Sequence, residues 1–268
     1  TNVKCGTFHS LGFQLLRRML GNVKIETESR KVSGLCRKYF KYDKKNAEAL
    51  AKLVSFGKQE GFGIPGVPID SNELWTKVAD HHDLWDDFTD VSPDRIINLC
   101  VAVSRESLEL CKTGVIDFDD MLLAPLAFST KHYGLYDWVL IDEAQDLNEV
   151  RRRLAMYVLK PGGRVVAVGD TFQAIYGFAG ASNDSMDLVK AMFNSQELAL
   201  TVTRRCPKAV VAVAQQWVPD FTAHEDAPDG QVVELGDDDF TWMWDGRAKW
   251  DPANDVKNFC GACGCSFI

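Results

Sequence analysis

The chain has 268 residues, 46% hydrophobic and 25% charged, which suits one large or two ordinary soluble domains with a substantial core. A net charge of −8 excludes a grossly basic nucleic-acid binder, and no apolar run approaches the ~20 residues of a membrane span. Ten acids and two bases between Asp220 and Asp251 account for the whole −8, leaving a neutral body that can still hold a single strand by stacking and a few phosphate contacts.

The first residues, Thr1-Asn2-Val3-Lys4-Cys5-Gly6, do not read as a signal peptide and lack an initiator Met, so a fragment or a processed chain is expected. Thr7-Phe8-His9-Ser10-Leu11 opens a predicted helix, with Ser10 as the expected N-cap. Phe13, Leu15, Leu16, Met19 and Leu20 supply its apolar face, opposite Arg17 and Arg18. Residues 22–112 read as mainly helical. Within them, 38–45 interleave lysines with Tyr39, Phe40 and Tyr42, a stretch that fits a solvated helix face or a nucleic-acid grip. Residues 48–56 continue as an amphipathic helix. A Gly/Pro loop follows over 61–68, and Ser92-Pro93-Asp94 starts a helix with Pro at its first position, running to about Lys112.

Val115-Ile116-Asp117-Phe118-Asp119-Asp120 comes next. Asp117 is placed to cap a helix beginning at Phe118, and the helix dipole favours acids in that first turn. This structural account is sufficient, and no catalytic role is assigned there. Trp138-Val139-Leu140-Ile141 then runs into Asp142-Glu143-Ala144-Gln145-Asp146. Such a run predicts a strand buried on both faces, with acids at its C-terminal end, where open α/β sheets bind ligands. Two carboxylates there suit a hard cation and a general base for water; a strand ending in a polar turn is the bland alternative. A second β-branched strand, 164–168, ends in Gly169-Asp170. A loop with Gln173, Tyr176 and Phe178 follows it.

These two segments resemble the UvrD/Rep/PcrA family of superfamily 1 helicases. Asp142-Glu143-Ala144-Gln145-Asp146 looks like the family's Walker B element (motif II), and Gly169-Asp170 through Gly180-Ala181 looks like its motif III. Beside them, Thr7-Phe8-His9-Ser10-Leu11 is similar to motif Ib, which lies on the single-strand track and makes Thr7 and His9 candidate DNA contacts. Downstream, 185–193 read as a helix, 198–203 as a strand and 209–217 as a helix. Arg204-Arg205-Cys206-Pro207 between the last two resembles motif IV in part, with the motif's arginine at Arg205 and its Asn and Tyr replaced by Thr203 and Arg204. The family often has Trp where Phe178 stands, and many members carry Arg where Ala179 stands.

The resemblance covers about Cys5 to Trp217 and implies an α/β fold: an incomplete RecA-like P-loop NTPase parallel sheet with an inserted helical subdomain. Residues 1–21 and 113–197 would form part of lobe 1A and 22–112 the helical 1B insertion. Residues 198–268 would form the start of lobe 2A with an acidic, Cys-containing tail. It implies ATP and Mg²⁺ as cofactors, with Asp142 holding the metal, Glu143 activating water, Gln173 sensing the γ-phosphate and Arg205 reaching it from the second lobe. Tyr176 and Phe178 would stack on bases. The implied partners are single-stranded DNA and 3'-tailed duplex DNA, with no membrane, in the cytoplasm (bacterial, nucleoid-associated or phage-encoded); oligomeric state stays open. The sequence holds no Gly-x-x-x-x-Gly-Lys-[Ser/Thr] cradle, so an internal piece of a helicase, inactive by itself, is expected. The alternative is a degenerate, non-hydrolysing module that binds single strands or a protein. Cys5, Cys36, Cys100, Cys111 and Cys206 are scattered and read as reduced thiols. Cys260, Cys263 and Cys265 are one short of a tetrahedral zinc set, and a reduced tail is expected there.

Overall fold

The computed structural model describes residues 3–129, 133–173 and 185–232. The chain divides into two compact units, Thr1–Gln196 and Glu197–Ile268. In the first, helix α1 (Phe8–Leu20) buries Leu15 and Leu16. Its cap is Thr7 rather than the expected Ser10: Thr7 is extended and its Oγ1 accepts from Ser10 N at 3.2 Å, while Ser10 Oγ donates back to the Thr7 carbonyl at 2.9 Å. The hydroxyl three residues further back satisfies the free N–H, so the helix starts earlier.

Four helices follow: α2 (Lys31–Tyr39), α3 (Lys44–Gln59), α4 (Asn72–His81) and α5 (Pro93–Lys112). They enclose one apolar cluster that includes Leu50, Leu53, Val54, Trp75, Cys100 and Val103. Leu50, Leu53 and Val54 share one stripe of α3, and each fully buried aliphatic chain contributes about 1.5–3 kcal/mol relative to exposure. Asp43 and Ser71 cap α3 and α4, accepting from the N–H groups of Asn46 and Leu74. Gly57 is required by close packing, since a Cβ there would lie 2.3 Å from the Trp75 ring. Cys5, Cys36, Cys100, Cys111 and Cys206 are free thiols.

A short parallel pair, β1 (Glu26–Thr27) with β2 (Val115–Ile116), leads to helix α6 (Asp120–Ala127). The helix begins two residues later than expected, and Asp119 rather than Asp117 stands at its N-cap; Asp117 instead closes the preceding turn, its Oδ1 accepting from Asp120 N at 2.9 Å while Asp120 Oδ2 accepts from Asp117 N at 2.8 Å. Beneath this turn lies a buried ion cluster. Lys31 Nζ from α2 reaches Asp120 Oδ2 at 2.6 Å, and Lys58 Nζ from α3 reaches Asp120 Oδ1 at 2.7 Å and Asp117 Oδ2 at 2.6 Å. Burial opposes charge on Asp120, but Lys58 and Lys31 outweigh it and hold its pKa at about 2. Burial pushes Asp117 up to about 6 despite Lys58. Burial also works against the Lys58 cation, and Asp120 and Asp117 more than offset it, leaving the pKa raised.

The element that positions the acidic loop is a β–α–β unit. Strand β3 (Tyr136–Ile141), helix α7 (Glu149–Val158) and strand β4 (Leu159–Ala167) run in order, and β3 pairs with β4 in parallel, Val139 opposite Val165 and Ile141 opposite Ala167. Parallel neighbours need such a crossover. Val139, Ile141, Val165 and Ala167 point to one face, where they pack with Leu147, Ala155 and residues of helix α8 (Ser185–Phe193). The other face is open: Trp138 is 52% and Leu140 74% exposed, beside Val166 and Val168. The expectation of burial on both faces is therefore corrected. Among the described residues β3 pairs with β4 alone, and helices cover only one side. Arg164 lies over the Trp138 ring, 5.3 Å from its centroid.

In the second unit, β5 (Val202–Thr203) pairs in parallel with β6 (Thr222–Ala223) across helix α9 (Lys208–Ala214). The strand is shorter than the predicted 198–203, and the helix ends three residues before Trp217. No helix among the described residues is long and apolar enough to cross a membrane.

Candidate functional site

Past Ile141 the backbone of β3 turns sharply. Glu143 has φ 52°, in the left-handed region that non-glycine residues rarely occupy. Two bonds to the end of β4 hold the turn: Val168 N donates to the Ile141 carbonyl at 2.8 Å, and Ala144 N to the Val168 carbonyl at 2.9 Å. Below, Ser185 Oγ donates towards the carbonyls of Ala144 and Leu147 at 3.0 and 2.9 Å. Strain of order 1–3 kcal/mol persists where surroundings over-determine the backbone, and such sites are often functional.

Gln145 organises the loop. It is 3% exposed, and its Nε2 donates to Glu143 Oε2 at 2.7 Å while its Oε1 accepts from Asp170 N at 3.1 Å. The buried amide thus ties the carboxylate after β3 to the backbone after β4. Gly169 is dictated by the same group, because a Cβ there would stand 2.6 Å from Gln145 Oε1. Asp170 in turn accepts from Phe172 N at 3.0 Å and from Gln173 Nε2 at 2.7 Å. Asp142, Glu143, Asp170 and Gln173 are all exposed, and among the described residues no lysine or arginine pairs with the three acids. Asp146 closes the loop. Burial, then the nearby Glu143, raises its pKa, and its Oδ1 is buried without a partner among the described residues.

The donor set fits a hard divalent cation held partly by a ligand. Carboxylate oxygens are its preferred donors, and Mg²⁺ takes one or two carboxylates plus water and phosphate rather than an all-protein cage. Here Asp142, Glu143 and Asp170 do not form a preassembled triple. Among the described residues the one close triple is His224, Glu225 and Asp226 in the second unit, whose two acids are exposed.

A second surface gathers Thr7, His9 and a residue that sequence reasoning did not assign. The His9 ring stacks on Phe118, centroids 3.7 Å apart and planes 23° from parallel. Phe118 remains 60% exposed although its turn is anchored by the buried acids Asp117 and Asp120. Burial, with Arg151 nearby, lowers the His9 pKa to about 4, so the ring is neutral near pH 7. The Thr7 Oγ accepts the capping bond and keeps its own proton to donate.

Of the residues singled out from sequence, the structure links Glu143 and Gln173 through Gln145 and Asp170, while Asp142 Oδ1 only accepts from the N–H of its neighbour Glu143 at 3.1 Å. Arg205 belongs to the second unit, where its N–H donates to Thr203 Oγ1 at 3.2 Å. Tyr176 and Phe178 lie outside the described residues, as do Cys260, Cys263 and Cys265. Gln145 and Asp170 are parts of the two acidic strand ends, and the bond between them joins residues 25 apart in the chain.

A parallel β–α–β unit with exposed carboxylates at the C-terminal ends of adjacent strands belongs to the α/β class and puts those acids where open α/β sheets bind ligands. Comparison with known proteins gives the particular family: residues 1–194 match the model of the UvrD/REP helicase N-terminal domain, and the chain belongs to that family. It is 23% identical over 203 residues to the ATP-dependent DNA helicase Rep of Buchnera aphidicola, covering 70% of this chain and 28% of that protein. A probable DNA helicase II homolog of Mycoplasma pneumoniae is 29% identical over 124 residues, 42% of this chain and 17% of the relative. A putative ATP-dependent DNA helicase of Bacillus subtilis, YjcD, is 32% identical over 107 residues, 37% and 14% respectively. The chain thus spans under a third of the length of these relatives.

Proposed function

We propose that this chain is the part of an ATP-dependent DNA helicase that carries the acidic half of the nucleotide site and part of the single-strand track. The observation that carries the reading is the set of exposed carboxylates Asp142, Glu143 and Asp170, paired with no lysine or arginine among the described residues, at the ends of paired parallel strands that the buried Gln145 ties together from Glu143 to the Asp170 backbone. We assign residues 1–21 and 113–197 to a RecA-like lobe, 22–112 to a helical insertion and 198 onward to a second lobe.

Asp142 would hold Mg²⁺, directly or through water, and bound Mg·ATP would supply the phosphoryl group. Glu143 orients and deprotonates the attacking water. Gln173, set by Asp170, reads the γ-phosphate or that water. Arg205 is the candidate charge partner for the γ-phosphate, since a guanidinium forks onto phosphate oxygens. Thr7 donates to a phosphate, neutral His9 with Phe118 offers a stacking face, and Tyr176 and Phe178 offer further ones. The substrates proposed are single-stranded DNA and duplex DNA with a 3' tail.

The test is steady-state ATP turnover by the full-length protein with and without an oligonucleotide. Asp142→Asn should raise the Mg²⁺ concentration for half-maximal turnover at least tenfold. An unchanged Mg²⁺ requirement contradicts the assignment of Asp142. Strand binding with no turnover at any Mg²⁺ concentration would favour a non-hydrolysing binding module.

A further inference from the structure

Three successive arginines, Arg151, Arg152 and Arg153, occupy the start of α7, an end where the helix dipole disfavours cations. Two of them are neutralised by Glu149, Arg152 at 3.1 Å and Arg153 at 2.5 Å. Arg151 is not. Among the described residues it forms no ion pair, and its Nη1 donates instead to the carbonyl of Asp146 at 3.0 Å. Its backbone is fixed, because the capping Asn148 Oδ1 accepts from Arg151 N at 3.1 Å. The guanidinium is withdrawn from water, which lowers its pKa, while Asp119 and Asp146 act in the opposite direction. Phe8, beside His9 in the first turn of α1, packs in the same clusters as Val150, Leu154 and Ala155 of α7, and the Arg151 charge opposes protonation of the His9 ring. One planar cation is therefore bonded to the acidic loop at Asp146, on a helix packed against the first turn of α1, and its charge is felt by His9 there and by Asp119 beside Phe118.

We propose that Arg151 is a positioning residue through which a nucleic-acid strand seated on Thr7, His9 and Phe118 acts on the acidic loop 142–146. The proposal rests on the strand and nucleotide assignments made above. Four of the five guanidinium donors are unused among the described residues, so a phosphodiester arriving beside His9 meets a ready fork. The group is rigid and planar, so a turn towards phosphate at one edge moves the bond to Asp146 at the other. That movement reaches the catalytic base directly, since Asp146 N donates to the carbonyl of Glu143 at 3.0 Å. Glu143 is also the residue of loop 142–146 with a positive φ, 52°, where the backbone already carries strain.

The experiment is a double-substitution cycle in the full-length protein, Arg151→Met with His9→Ala, read as the ratio of strand-stimulated to basal ATP turnover. Oligonucleotide affinity is followed separately by fluorescence anisotropy. Arg151→Met should cut the stimulation ratio at least fivefold while affinity falls less than threefold, and Arg151→Lys should restore part of the ratio. The double variant should be little worse than either single one. A ratio within twofold of wild type, or losses that multiply independently to within about twofold, overturns the proposal. If the methionine variant does not fold, Arg151→Lys with His9→Ala carries the same cycle, with the same multiplicative result counting against it. Wild-type turnover that ignores the strand altogether would instead strike at the functional assignment itself, and with it this proposal.

Discussion

Asp117 and Asp120 lie under 8% exposed with two lysines against them, whereas Asp142, Glu143 and Asp170 stand exposed with no cation in contact among the described residues. In sequence the two regions look alike, each a short strand followed by a knot of acids. What separates them is supplied from far away: Lys31 and Lys58 sit 89 and 62 residues before Asp120. Where the fold delivers cations, the acids become a rivet between α2, α3 and α6. Where it withholds them, the acids stay exposed to water, and the proposed function gives them a cation from solution.

The largest expected effect comes from making the same change in both regions. Asp120→Asn leaves Lys31 and Lys58 buried with one acid fewer, and should cost about 3–5 kcal/mol of stability in denaturant unfolding. Asp142→Asn should stay within about 0.5 kcal/mol of wild type in the same experiment. Equal costs would erase the distinction between rivet and site.

A smaller effect is expected where the rivet serves the strand surface. Phe118→Ala should weaken binding of a labelled oligonucleotide by about 1–3 kcal/mol, the usual loss of one stacking partner. Phe178→Ala, chosen from sequence alone, should do the same. Anisotropy titrations giving wild-type affinity for either variant would remove that residue from the stacking surface.

The smallest is a pH effect. Burial lowers His9 to about 4, and His82, stacked on Phe56 and near His81, also to about 4. Between the ordinary value near 6.5 and about 4, the unfolded chain therefore binds protons that the folded chain refuses, and stability from these rings is lost as pH falls through that window. Asp117 opposes the trend, because its raised pKa of about 6 lets the folded state keep a proton that the unfolded state releases. Melting temperatures should drop from pH 6.5 to 4 and drop less in the His9→Gln, His82→Gln double variant. Identical slopes would mean that neither ring is held neutral.

Much of the local structure was legible. Ser92-Pro93 announced α5, and the amphipathic stretch 48–56 lies within α3, which runs Lys44–Gln59, because helix starts and stripes are written in nearby residues. The loop 142–146 was placed correctly after a strand for the same reason. The Thr7 cap was misplaced by three residues, since Thr7 and Ser10 are equally competent caps and only the extended backbone at Thr7 decides. Burial of β3 on both faces was not met, because the alternation of Trp138 and Leu140 with Val139 and Ile141 cannot say which faces other elements will cover. The role of Gln145 and the partnership of Asp120 with Lys31 and Lys58 were illegible for one reason: each joins residues that the chain alone keeps far apart.

The central claim is that the cation-free acids form a nucleotide-hydrolysis site, and Glu143→Gln tests it most directly. The substitution removes the proposed base and keeps an isosteric side chain within reach of Gln145. In the full-length protein, strand-stimulated ATP turnover should fall by about 10²–10⁴, with nucleotide binding by calorimetric titration largely retained. Turnover within a few-fold of wild type would contradict the account.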